Sequence, residues 1–146
     1  MNDLYLIVGL CGEKVAFRAA EVQSVIELDR VTPAPRAPDF IAGLTALRSR
    51  ALTVVDCTKS LELGQGEREL EGCQAAVVEH QGHIYALALD AVDDVVEAQA
   101  SPEPVPAKLA GGWHRVAQGM VETELGPMLV VDLAALIAGP EQKKAA

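Results

Sequence analysis

Rings are scarce in this chain: two Tyr, two Phe and one Trp make up 3% of its 146 residues. A surface so poor in aromatics lacks the stacking platforms on which single-stranded nucleic-acid binders rely. Positive charge is short as well, 12 Lys and Arg against 21 Asp and Glu, for a formal net charge of −9. That balance repels a phosphate backbone, and no local basic cluster offsets it, so nucleic acid is not expected as a partner. No apolar run approaches the roughly 20 residues of a membrane span, so no direct membrane insertion is expected. Met1-Asn2-Asp3 puts no basic segment ahead of the short apolar run Leu4 to Leu10, so that run is not read as a signal peptide. Three cysteines, Cys11, Cys57 and Cys73, form an odd, widely spaced set that reads as reduced thiols in a cytoplasmic protein.

Half of the chain is hydrophobic, enough for a sizeable core built from aliphatic groups. The central stretch is Val31 to Asp56. Pro33, Pro35 and Pro38 fix an extended approach, because each proline sets its own φ and biases the residue before it away from helix. A turn is read over Asp39 to Gly43, then a hairpin of Leu44 to Leu47 and Ala51 to Val55 around the charged corner Arg48-Ser49-Arg50. Ahead of it, Leu4 to Leu10 and Val15 to Phe17 read as a hairpin across Cys11-Gly12, then a helical turn near Ala19 to Val22 and a strand over Gln23 to Leu28. A short helix is expected over Cys57 to Leu63 and a charged connector over 64–73.

Beyond the connector the pattern begins again. Gly12 and Gly82, Val25 and Val95, and Glu27 and Glu97 stand 70 residues apart; Pro33 and Pro104, and Pro35 and Pro106, stand 71 apart; Gly43 and Gly119, and Asp56 and Asp132, stand 76 apart. The change of step places an insertion in the glycine-rich loop around Ala110 to His114, where the lone Trp113 is read as an anchor or, alternatively, an interface hot spot. Each half offers about five short strands, which suits two small barrels. The expected layout is one domain over 1–140, with halves at about 4–63 and 74–138, and a frayed tail over 141–146.

The chemistry-bearing residues point away from catalysis. Asp56 and Asp132 hold the same place in the repeat, each ahead of a short helix, and are expected to cap it. Gly64-Gln65-Gly66 begins like a phosphate loop but has Glu69 where that loop has its second glycine. His80, His83 and His114 lack the paired spacing of a zinc site, so no metal, cofactor or catalytic residue is assigned. Arg48 reads either as a solvated turn arginine or as a guanidinium presented to a partner's carboxylate or carbonyl oxygens. Val22, Val25, Ile41, Leu44 and Leu47 read as core or as the border of a contact patch beside an open sheet edge.

Two segments carry a family likeness. Val31-Thr32-Pro33-Ala34-Pro35-Arg36-Ala37-Pro38-Asp39-Phe40-Ile41-Ala42-Gly43-Leu44, and Leu47-Arg48 leading into Ala51 to Asp56, closely resemble the CheW-like chemotaxis coupling proteins; Gly119 to Leu136 resembles that family's closing hairpin and helix. The resemblance implies a mainly β fold of two intertwined five-stranded SH3-like barrels with short helices, and no enzymatic activity. It also implies an adaptor joining a chemoreceptor's cytoplasmic tip to the regulatory domain of a CheA-type histidine kinase. The contact residues so implied are Arg48, Leu47, Ser49, Val22, Ser24, Glu27, Ile41 and Leu44. The family's usual Asn-Leu-Arg-Gly corner is Ala46-Leu47-Arg48-Ser49 here; a family glutamate becomes Ser24, and a family basic position becomes Glu27. Those changes leave two alternatives: a diverged scaffold for another sensory or motility system, or a small ligand-binding or catalytic barrel.

Overall fold

The dense apolar run at the N-terminus is buried on both faces. In the computed structural model, which describes residues 2–63, 69–109 and 111–140, β1 (Asn2–Leu10) sends Tyr5 and Ile7 to one apolar cluster and Leu6, Val8 and Leu10 to another. Alternation at period two is what makes this possible: a strand with core on both sides reads as an unbroken hydrophobic run. Across the turn Cys11-Gly12, β2 (Glu13–Arg18) returns antiparallel, and a single 3-10 turn over Ala19–Glu21 leads into β3 (Val22–Glu27). β4 (Ile41–Leu47) and β5 (Arg50–Asp56) form the central hairpin, closed by α1 (Cys57–Ser60). The second half supplies β6 (Gln74–His80), β7 (His83–Leu89), β8 (Ala91–Gln99), α2 (Trp113–Val116), β9 (Ala117–Thr123), β10 (Gly126–Val131) and α3 (Leu133–Ala138).

These strands make two five-stranded sheets, in the orders β8-β1-β2-β10-β9 and β3-β6-β7-β5-β4, each curled as an SH3-like barrel. Each sheet takes strands from both repeats. Each sheet joins the repeats twice, once by an antiparallel pairing (β1 with β8, β3 with β6) and once by a parallel one (β2 with β10, β5 with β7); the pairings within each repeat are all antiparallel. One cluster inside the first sheet gathers Tyr5, Ile7, Val96, Val121 and Val130; another inside the second gathers Leu28, Leu52, Val54, Val77 and Ala86. The largest cluster draws on both sheets and all three helices, among them Phe17, Phe40, Val55, Leu61, Leu87 and Leu136. The two barrels therefore share a core between them.

The repeat extends to irregular features. A bulge interrupts β4 between Ile41 and Gly43, and another falls at Ala117 and Gly119 in β9, 76 residues on. At each bulge a segment after the preceding edge strand crosses over: Thr32 bonds Leu44, and Glu103 bonds Met120. Gly43 at φ 153° and Gly119 at φ 149° permit this, since a Cβ there would lie 2.2 Å from the Thr32 carbonyl oxygen or 2.5 Å from that of Glu103.

Several element boundaries differ from the sequence reading. Ile41 to Gly43 belong to β4 rather than to a turn, because Phe40 is buried and its carbonyl accepts from the Asp56 amide, drawing the chain into the sheet early. The first short helix ends at Ser60, with the Leu61 amide bonded back to Cys57. The inserted loop contains a helix, α2, that the sequence did not signal, and half-buried Trp113 packs against the shared core as an anchor. The phosphate-loop look-alike at Gly64 to Gly66, residues 64–68 of the connector and the tail at 141–146 lie outside the described residues.

Candidate protein-contact site

Leu47 and Arg50 face each other as the last pair of the β4–β5 hairpin, so the corner is the two-residue turn Arg48-Ser49. Both residues are left-handed, Arg48 at φ 51° and Ser49 at φ 67°. Such a turn matches the right-handed twist of the flanking strands, and it favours glycine at its second position. The hairpins at Cys11-Gly12 and Gln81-Gly82 follow that rule, whereas this corner does without glycine. The equivalent corner in the second repeat, Glu124-Leu125, is built differently: the Thr123 hydroxyl donates to the Gly126 carbonyl at 2.7 Å and accepts from the Leu125 amide at 3.1 Å. Frame and bulges are duplicated; the arginine corner is not.

The implied contact residues fall on the two edges of one sheet. Val22, Ser24 and Glu27 lie on β3 and Ile41, Leu44 and Leu47 on β4, with three strands between them; Arg48 and Ser49 form the tip beyond β4. The aliphatic set divides by environment. Val22 and Ile41 pack half-buried against the shared core and Leu47 against the interior of the second barrel, while Val25 is 39% exposed and Leu44 42% exposed. Ser24, Glu27, Arg48 and Ser49 are exposed, and a bulge between Val22 and Ser24 sets the direction of β3. The open edges that the sequence could not identify are thus β3 and β4.

Charge around the corner departs from the chain's overall balance. The side chains of Arg30, Arg36, Arg48 and Arg50 are exposed and make no ion pair or hydrogen bond among the described residues. By contrast Lys14 pairs with Asp93, Arg18 with Asp3 and Lys59 with Asp39. Arg30, which the sequence reading passed over, lines a groove with Thr32, Leu44, Ala46 and Ala51, so the fold gathers basic groups that are separated in the chain. The expectation of no local basic cluster is corrected at this one end, where Arg30, Arg48 and Arg50 share a hairpin and its groove.

The other chemistry-bearing residues have structural work. One carboxylate oxygen of Asp56 accepts from the Thr58 amide at 3.1 Å and the Lys59 amide at 3.3 Å, and Asp132 does the same with Ala134 and Ala135 at equal distances. The His114 ring lies 2.7 Å from the Gly111 carbonyl, and His80 faces His83 across a hairpin turn. Among the described residues no group of three or more His, Cys, Asp and Glu converges as metal ligands would. No helix of the described residues is long and apolar enough to cross a membrane.

Known proteins share this architecture. The family model of the CheW-like domain matches residues 4–141. The chain is 23% identical over 143 residues to a chemotaxis protein CheW of Rhizobium meliloti (strain 1021), covering 91% of this chain and 92% of that one. The crystal structure of the scaffolding protein TtCheW from Thermoanaerobacter tengcongensis superposes with a TM-score of 0.81 at 23% identity, over 99% of both chains. Two barrels woven from a duplicated half, with a family match spanning nearly the whole sequence, place this chain in the CheW-like domain family.

Proposed function

We propose that this protein is a noncatalytic scaffold of chemotaxis signalling that holds a chemoreceptor's cytoplasmic tip and the regulatory domain of a CheA-type histidine kinase in register. The observation that carries the reading is the Arg48 corner, an unpaired guanidinium on a hairpin tip that only the first of two otherwise matching repeats possesses. A residue needed for folding would recur with the frame; one that serves a partner need not. Signalling through such a scaffold works by populations: a receptor state with different affinity for it biases the kinase bound to it. The work is cytoplasmic, and binding its partners recruits the scaffold to receptor arrays.

Co-purification from native cytoplasm tests this. The wild-type chain is expected to retain a histidine kinase, and Arg48→Glu to lose it while its circular dichroism stays unchanged. Retention at full strength by the Arg48→Glu chain removes Arg48 from the interface. A second reading, a scaffold for another sensory or motility system, is favoured by Glu27, which stands where the family commonly has a basic residue. A like-charge meeting across an interface costs several kcal/mol, on the order that separates partners. Recovery of a kinase or receptor outside the chemotaxis set would decide for it. A ligand-binding or catalytic barrel would instead carry a bound metabolite or metal, visible as added mass under native electrospray.

A further inference from the structure

Leu44 spends both backbone groups on Thr32: its amide donates to the Thr32 carbonyl at 2.7 Å and its carbonyl accepts from the Thr32 amide at 2.8 Å. Those groups therefore point away from β5. By strand alternation the N–H and C=O of Ala46, two residues on, point the same way, and they have no partner among the described residues. The segment that pairs at Thr32 has already turned off, with Arg30 and Asp29 on the far side of a groove of about 530 Å³. Leu44, Ala46 and Ala51 are exposed beside it, and Arg48 and Arg50 stand at its hairpin end. The groove thus offers an unfinished stretch of sheet edge, small apolar side chains and three unpaired guanidiniums against one carboxylate, Asp29.

The second repeat has closed the same place. Ser101 stands for Arg30, Glu122 for Ala46 and Glu124 for Arg48, putting two acidic side chains along the matching edge. Charged side chains of this kind are how sheets protect an edge from pairing. The first repeat lacks that protection on β4.

We infer that the outer edge of β4 at Ala46 is a strand-addition site for an extended, acidic segment of a partner protein. The segment would continue the pairing that Thr32 begins and place its carboxylates on Arg30, Arg48 and Arg50. Main-chain bonds give such a mode its affinity, and the arginines give it charge selectivity and fast, salt-sensitive capture. The proposal rests on the scaffold reading for its partner, but it names a surface and a chemistry that can succeed or fail separately.

The test is a titration of the ¹⁵N-labelled full chain with the capped hexapeptide Glu-Val-Glu-Val-Glu-Val and with its lysine counterpart, Lys-Val-Lys-Val-Lys-Val. The acidic peptide is expected to shift the amides of Thr32, Ala46 and Arg50, with affinity falling at least tenfold as salt rises from about 50 to 500 mM. Arg30→Glu is expected to weaken it at least tenfold. Ala46→Pro, which removes the amide and which an edge strand tolerates, is expected to do the same. Equal binding of the lysine peptide, shifts confined to β3, no shift with the acidic peptide, or undiminished binding by a folded Arg30→Glu chain each overturn the proposal. If kinase capture is lost in Arg48→Glu but kept in Arg30→Glu and Ala46→Pro, the corner stands and the groove falls. If the peptide behaves as expected and no kinase is captured, the groove stands and the kinase reading falls.

Discussion

Arg48 and Ser49 show how far single residues can be read. The arginine was visible in the sequence as a basic corner in an acidic chain; the backbone that presents it was not, because Arg-Ser carries no turn signature. Two successive non-glycine residues in the left-handed region cost conformational energy. Ser49→Gly should therefore raise stability by about 0.5–1 kcal/mol, part of the relief being lost to the freer unfolded chain. A urea midpoint that rises at constant m-value is the expected readout. Glu21 is a second residue whose environment no sequence pattern announces. Although the residue is exposed overall, partial desolvation lifts its carboxyl above the ordinary range, Arg18 opposes and Asp132 adds to the lift. A carboxyl with a raised folded value destabilises the fold once it ionises, so stability is lost as pH rises through that value. Glu21→Gln should raise the denaturation midpoint at pH 7 and leave it nearly unchanged at pH 3.5, below the unfolded value of about 4.3. The exposure of Val25 and Leu44, against half-buried Val22 and Ile41, was equally hidden, since one aliphatic spacing serves both environments.

At the scale of elements, capped helices were legible and the uncapped one was not. Asp56 and Asp132 marked α1 and α3 in advance, and both carboxylates accept two first-turn amides. α2 is preceded by Gly112, which has no side chain to bond its first turn, so nothing in the sequence distinguished it from the surrounding loop. Asp56→Ala and Asp132→Ala should each cost about 0.5–2 kcal/mol, measured by thermal or urea unfolding. Near-equal losses are expected because the two sites share their geometry. The hairpins at Gly12 and Gly82 were legible for the related reason that glycine is the turn's own requirement. Bulges escaped notice: Ile41 to Gly43 looked like a turn because an extra strand residue and a turn both recruit glycine.

For the whole molecule, the duplication could be counted from glycines, prolines and aspartates, but the weaving could not. Period-two patterns say which strands exist and are silent on which neighbour each takes. Here the shared core, fed by both sheets and all three helices, makes the barrels one folding unit. Arg115 ties the unit further. Its guanidinium donates to the Ala135 carbonyl in α3 and to the Ser60 carbonyl at 2.7 Å and hydroxyl at 3.3 Å in α1, while the Ser60 hydroxyl donates to the Leu136 carbonyl at 2.7 Å. Just past the insertion that broke the repeat's step, Arg115 thus forms a clasp between the ends of the two halves. Its position pairs with Asp39 in the first repeat, whose carboxylate meets Lys59 of α1 within that half.

The parallel pairings of β2 with β10 and β5 with β7 lead to a last expectation. Every sheet crosses the boundary between halves, so strand pairing holds the halves together independently of the chain link between Leu63 and Glu69. A protease nick there should release nothing. Fragments 1–63 and 69–146, purified separately, should each run as unfolded chains on size exclusion, and mixing them should restore a folded one-to-one complex. Failure of the mixture to fold would show that the tether is needed to bring the halves together. A fold of this kind behaves as a two-piece assembly permanently held at high local concentration, and two intact copies could trade halves without inventing a single new contact.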